Sequence, residues 1–399
     1  MSLFSFSNNK KGEEVSAVFH IGSGSVDGHL VRLSKISKPE IIYSISAPIS
    51  FQKDIKLERH FKLMIKAFDS MLKDLTKEGL KHLNFTGLRN HGLRNAFFIL
   101  SSPWCVSQTK IIKIKKDKPF EISGDLIESI IREQEDKFLS NDSTEGSKVI
   151  EKRIIEAKLN GYKMAEIYGK KTKDAEFSLF MTSAPEYVLK ELRDTAQKYF
   201  NFRSSHFHSF ALCSFSAIRD IYSDIDDFIY LDVHGELTDL SIIKDNVFVE
   251  SASFPAGKNF FARKISEKLR VSVIEAYSLI NMHAKGKCDS ATSLKVETAI
   301  DESLKDWLER FHSVLTSLSL NMYVPRTIFM IASDEFSAFL LKKLKEEKFS
   351  QFSMTEESFD VIVLDTKNLC EYCKSDKNFK KEPFAEMECI FLNKLFNTK

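Results

Sequence analysis

The stretch "YLDVHGELTDLSIIKDNVFVESASFPAGKN", residues 230–259, reads as a three-strand meander with a tight corner after its first strand. Apolar Tyr230, Leu231 and Val233 lead into the corner Asp232–Val233–His234–Gly235. Leu240, Ile242 and Ile243 carry the second strand, Lys244-Asp245-Asn246 turns the chain, and the third run closes at Pro255 and Gly257. Working outward, "FIYLDVHG", "LTDLSII" and "VFVESASF" are followed by helices at roughly 258–283 and 292–322 and by a strand in "RTIFMIAS".

The same arrangement stands about 200 residues earlier. "VSAVFHIG" reads as a buried strand, "SGS" as a turn, and "VDGHLVRL" and "EIIYSIS" as two more strands. Leu57, Phe61, Met64, Ile65, Phe68 and Leu72 fall at helical spacing, and "AFFIL" is a fourth strand. A helix through Leu212, Phe215, Ile218 and Ile221 crosses between the copies. The pattern predicts an α/β chain of two similar domains facing each other, residues 15–225 and 226–399, after a flexible start at 1–14. Residues 106–175 fit neither copy. They read as a strand, a helix through Leu126, Ile127, Ile130 and Ile131, the polar loop "SNDSTEGS", and strands in "VIEKRIIEAKL" and "YKMAEIYG". That is a small α+β module inserted into the first domain.

Composition narrows the function classes. The 399 residues suffice for two cores, and 43% hydrophobic with 29% charged residues is a globular balance. A net charge of +2, with lysines spread beside acidic residues, does not favour nucleic acid. No apolar run spans a bilayer, and six cysteines point to a reducing, cytoplasmic compartment. Cys370 and Cys373 form one C-x-x-C with no second pair or nearby His, the mark of free thiols rather than zinc. In "MSLFSFSNNKK", Leu3, Phe4 and Phe6 precede Lys10 and Lys11, which reads as a frayed end or as a tip for peripheral membrane association. The tail "EPFAEMECIFLNKLFNTK" has helical spacing and reads as a helix docked on the second domain.

"FHIGSGSV" resembles the first phosphate motif of the actin-like ATPase superfamily, and "LDVHGELTDLSII" resembles its second. "FPAGKNFFARKISEKL" is similar to the family's segment after the third strand of the second meander, and the insertion with its "LNGY" turn is similar to the FtsA and PilM branch. The resemblance runs from about Val15 to about Phe391 and implies two actin-like (ribonuclease H-like) domains facing a central cleft. It implies a site for ATP and Mg²⁺ in which Gly22, Ser23, Gly24 and Ser25 form one phosphate loop, and Asp232, Gly235, Thr238 and Asp239 the other. Gly257 and Ser333 fall on the family's later nucleotide-facing turns, and Asp232 would be the catalytic carboxylate of a working ATPase. No side chain is implied as a direct metal ligand, because Mg²⁺ in such sites keeps most of its waters.

Several positions depart from that pattern. His20 stands at the family's first acidic position, and an imidazole cannot replace a carboxylate beside magnesium. His234 stands where a glycine lets backbone amides approach a phosphate. Tyr277 and Ile280 occupy the ribose-contacting positions, and Ala332, Ser333 and Asp334 the glycine-rich adenosine turn. Together these replacements predict a retained fold with weak or absent ATP binding. The leading expectation is a cytoplasmic scaffold that links a peptide of an inner-membrane protein, bound at 106–175, to a division or pilus assembly. The alternatives are a working ATPase of the same fold and a self-associating filament protein.

Overall fold

The central strands of the two sheets, in "VSAVFHI", "NAFFIL", "FIYLDV" and "TIFMIA", are buried at nearly every position, as in sheets covered on both faces. The structure is a computed structural model and describes residues 12–52, 55–85, 93–140, 144, 146–319, 323–347, 358–375 and 382–398. The first meander is β1 (Glu13–Ile21), β2 (Ser25–Ser34) and β3 (Glu40–Pro48). Helix α1 (Leu57–Asp74) runs through one π-helical turn into α2 (Leu80–Phe85), and β4 (Asn95–Leu100) returns parallel to β1. The inserted module follows as β5 (Val106–Glu121), α3 (Gly124–Leu139), β6 (Ser147–Leu159), β7 (Tyr162–Lys163) and β8 (Lys171–Pro185). Then come α4 (Glu186–Gln197), β9 (Ser204–Ser209) and α5 (Phe210–Ile221).

The second meander is β10 (Phe228–Val233), β11 (Thr238–Lys244) and β12 (Val247–Phe254). It leads into α6 (Lys258–Leu269), α7 (Val273–Ala284) and α8 (Ser290–Ser319). Strand β13 (Thr327–Ala332) lies parallel to β10, and α9 (Asp334–Glu346) and β14 (Asp360–Val363) complete this half. The last elements are α10 (Thr366–Leu369), β15 (Lys374–Ser375) and α11 (Pro383–Asn397). The sheets have the orders β15-β3-β2-β1-β4-β9, β12-β11-β10-β13-β14 and β5-β8-β6-β7.

Strand alternation sorts the core into layers. In β1 and β4, Ala17, Phe19, Phe98 and Leu100 pack with α1 and α4, whereas Val18, Phe97 and Ile99 face the other way. In β10 and β13, Leu231, Val233 and Met330 pack with α6 and α8, whereas Phe228, Tyr230, Phe329 and Ile331 face the first sheet. The two sheets therefore share one apolar layer, filled by α5 and α11. His20 and Asp232 stand on the strand faces turned to that layer, and this fixes where their chemistry points.

Five expectations are corrected. The C-terminal helix does not dock on the second domain: α11 packs on α5 and β2, and β15 pairs parallel with β3 of the first sheet. Its buried Ala385, Met387, Phe391, Leu392 and Phe396 match the apolar face that β2 and α5 leave open. Glu13 and Glu14 are not part of a flexible start, because they pair with Ser34 and Leu33; residues 1–11, with the apolar tip, lie outside the described residues. The helix expected at 258–283 is two, since Arg270 turns left-handed (φ 55°) and Ser272 opens α7 with a capping box to Glu275. In "YKMAEIYG" only Tyr162–Lys163 is strand, and the module's central strand is β8. Because β8 runs on to Pro185 and carries Phe180 into the shared layer, the module's sheet cannot be cut off at residue 175. Among the described residues no helix is long and apolar enough to cross a membrane.

Candidate functional site

The two corners singled out in the sequence meet. Gly22, Ser23 and Gly24 turn β1 into β2, and the His234–Leu237 corner turns β10 into β11. A Cβ built on Gly235 would lie 2.2 Å from the backbone nitrogen of Gly24, and one on Gly24 would lie 2.6 Å from Gly235 Cα. The glycines are needed here for contact between two backbones, not for approach to a ligand. Over Gly22 lies the imidazole of His234, whose Cε1 is 2.1 Å from where a Gly22 Cβ would stand. The Glu236 amide donates to Ser23 Oγ (2.9 Å), and the His234 amide donates to Leu237 O (3.2 Å). Gly257, at the start of α6, closes the far side: its amide donates to Glu236 O, and the Lys258 amide to His234 O at 2.7 Å. The two loops touch, and the amides of His234 and Glu236 already have partners inside the protein.

A buried polar cluster that sequence reasoning missed holds the loops shut. Glu236, 5% exposed, accepts from Arg263 Nη2 (2.5 Å) and from Asn259 Nδ2 (2.7 Å). The Tyr277 hydroxyl bonds Asn259 Oδ1, so this residue at the ribose position is tied into the cluster. Ile280, at the other ribose position, is fully buried in the core of the second half. Arg263 reaches the first domain, lying over the Phe51 ring at 5.2 Å with Nη1 3.5 Å from Gln52 O. Gln52 bonds His60, His60 stacks on Trp104 at 5.4 Å, and Trp104 Nε1 donates to Gly22 O at 2.9 Å. The signal available in the sequence was Glu236 itself, an acid inside a loop that would face phosphate.

No protein-family model and no curated protein matches the chain. Solved structures do. A chain of a "PilM-PilN type IV pilus biogenesis complex" aligns over 95% of this chain and 96% of its own, at 12% identity and a TM-score of 0.60. The ethanolamine utilization protein EutJ from Carboxydothermus hydrogenoformans aligns over 94% of this chain and 89% of its own, at 11% identity and a TM-score of 0.46. The fold is that of the actin-like ATPases.

Within the actin-like fold the remaining site positions scatter. His20 Nδ1 donates to Glu388 Oε1 of α11 at 2.5 Å, both side chains being 1% exposed. Burial acts to lower the His20 pKa, but the charge and hydrogen bond of Glu388 outweigh it and hold the imidazole above its ordinary value. His20 also contacts the rings of His234 and Phe384, at 5.1 and 5.5 Å. His234 is pushed the other way: burial, then His20 and Lys258, lower its pKa well below the ordinary value and keep it neutral. Asp232 and Asp239 are cross-strand neighbours below the loops. Burial, then Asp239, raises the Asp232 carboxyl well above the usual carboxylate range, and burial also raises Asp239. Ser25 donates to Asp27 (3.1 Å) at the start of β2. Thr238 is a core hydroxyl, donating to Ala256 O (2.8 Å) and accepting from Trp307 Nε1 (3.2 Å). Ser333 stands at the N-cap position of α9 without a side-chain capping bond, one residue past the Val233–Ala332 pairing, and so sits beside the second loop. Among the described residues no group of three His, Cys, Asp or Glu side chains is placed to hold a metal.

Proposed function

We propose that this chain is a cytoplasmic actin-like adaptor of the type IV pilus kind, a pseudo-ATPase whose nucleotide cleft is sealed by its own loops. The observation that carries the reading is the backbone contact of Gly24 with Gly235 under the His234 ring. Such contact leaves ATP no place for its phosphates, and the Glu236 amide, a donor that a phosphate would need, is already bonded to Ser23 Oγ. The likeness to a chain of a pilus biogenesis complex supports the process and the presence of a protein partner. Calorimetry with ATP and Mg²⁺ tests the sealed cleft: a dissociation constant of about 10 μM or tighter refutes it. An ATPase rate abolished by Asp232→Ala would favour hydrolysis instead.

The partner surface in this reading is the free edge of β5. That strand is the outer member of the module's sheet; its start packs on β12, where Ser251 Oγ donates to Ser107 O, and beyond it Ile111 is 55% exposed among the lysines. An extended peptide from an inner-membrane protein would add to this edge through backbone hydrogen bonds, with the lysines keeping the unoccupied edge soluble. The variant Ile111→Pro removes an edge amide without touching the core. It should abolish cross-linking to the membrane partner while leaving the melting temperature nearly unchanged. Unaltered cross-linking would move the interface elsewhere.

A further inference from the structure

Below the touching loops, between β12 and the start of β5, lies a cavity of about 330 Å³ that shares Asp232, Leu237 and Asp239 with the second corner and its strands. Strand register builds its floor. Asp232 pairs with Asp239, and Asp239 with Ser253, so the three side chains share one face of the second sheet. Asp239 Oδ1 accepts from Ser253 Oγ (2.5 Å), which in turn lies 3.2 Å from Ser102 Oγ across the seam. Asp232 differs. It is 2% exposed, it lines the cavity, and its Oδ1 has no hydrogen-bond partner. A carboxyl oxygen left without a partner at this depth is unfavourable unless something meets it.

The remaining lining says what that something is. Six serines face the cavity, Phe210 and Leu237 give it apolar wall, and no Lys, Arg or His contributes to it. Its volume is roomy for several water-sized groups. The rim carries Val106, 46% exposed, so the floor is reached from the surface at the module's first strand. Two carboxyls, acceptor hydroxyls, an apolar flank and no internal base match a cation on a short hydrocarbon stem.

We propose that this cavity binds one organic cation, the ammonium or guanidinium head of an aliphatic stem, with the head against Asp232 Oδ1 and Asp239. The site stands independently of the adaptor reading, since it needs neither nucleotide nor peptide partner. Burial and the facing Asp239 raise the Asp232 carboxyl, and a cation at Oδ1 is the charge that reverses that shift.

The probes are n-butylammonium and n-butylguanidinium, titrated into the full chain and followed by ligand-observed NMR. Binding in the millimolar range or tighter is expected, with competition between the two probes. Asp232→Asn should weaken binding at least tenfold, or about 1.4 kcal/mol. Because Asp232 is buried, the rim variant Val106→Arg is the second test. Its exposed position leaves the core untouched, and its own guanidinium should exclude the probes. No binding by the wild type, or undiminished binding by both folded variants, overturns the proposal. Capped Gly-Lys-Gly and Gly-Arg-Gly then separate the sources of the head. Binding equal to the butyl probes supports a site for a protein side chain, and binding of the butyl probes alone supports a site for a free amine.

Discussion

Replacing Gly235 by alanine tests whether the loops touch in solution. The new Cβ would stand 2.2 Å from Gly24 N, 2.3 Å from Gly24 Cα and 2.8 Å from Ser23 C, all backbone atoms that cannot rotate aside. Relief requires the two corners to part by more than an ångström. That overpacking costs about 1–3 kcal/mol. The same movement pulls the Glu236 amide from Ser23 Oγ, now 2.9 Å away, and an unpaired buried donor costs about 1–3 kcal/mol more. The expected destabilisation is therefore roughly 2–6 kcal/mol, read from urea denaturation midpoints at constant m-value. Gly124→Ala is the control, because a Cβ there meets nothing within 4 Å and the residue opens α3. It should be neutral or stabilising by about 0.5 kcal/mol. If Gly235→Ala lies within about 0.5 kcal/mol of wild type, the corners are apart in solution and the sealed-cleft argument fails.

Wild-type stability should decline as pH rises above 6.5 through the raised folded-state pKa of His20. The sign follows from linkage: the folded form holds the proton more tightly than the unfolded chain, so that contribution is full below 6.5 and is lost above the folded value. His20→Gln should flatten the profile, and parallel pH curves for the two proteins would contradict it. Arg263→Ala strips the partner from a 6% exposed Glu236 side chain and should cost roughly 3 kcal/mol, largely recovered in the Arg263→Ala, Glu236→Gln double variant. Trp104→Phe keeps an aromatic ring against His60 but loses the bond to Gly22 O, an expected loss of about 1 kcal/mol by thermal denaturation. Thiol labelling followed by mass spectrometry should modify exposed Cys370 first. Cys105, Cys213 and Cys389, buried and with thiols raised well above their ordinary value, should react only on unfolding.

The strand meanders, the crossing helix and the duplication were legible because period-2 and helical spacing are local, and both copies carry them. The loss of glycine at His234 and of the acid at His20 was also legible, since each is a residue type at a motif position. Contact between the two corners was not. Gly22 and His234 come together through the packing of two sheets, and no pattern near either residue encodes that fit. The docking of α11 was missed for a related reason. Its apolar face suits either half of the molecule, and the discriminating residue was Glu388, a carboxylate that required a partner as distant as His20. The expected module boundary at 175 falls inside β8, whose polar first residues, "KTKDAE", show their strand character only in their pairing with β5 and β6.

The bond between His20 and Glu388 joins residues 368 positions apart, and Ser34 and Asn393 are joined across 359. A ribosome makes the first partner of each pair long before the second. Through most of synthesis, the first sheet would present Val18, Val31 and Phe97 to water with a bare imidazole among them, because α11 has not yet emerged. The half of the protein made first is thus completed last, and its folding is of the slow, long-range kind. Losing the final helix would unsettle the N-terminal sheet, almost the whole length of the chain away, more than the strands that immediately precede it.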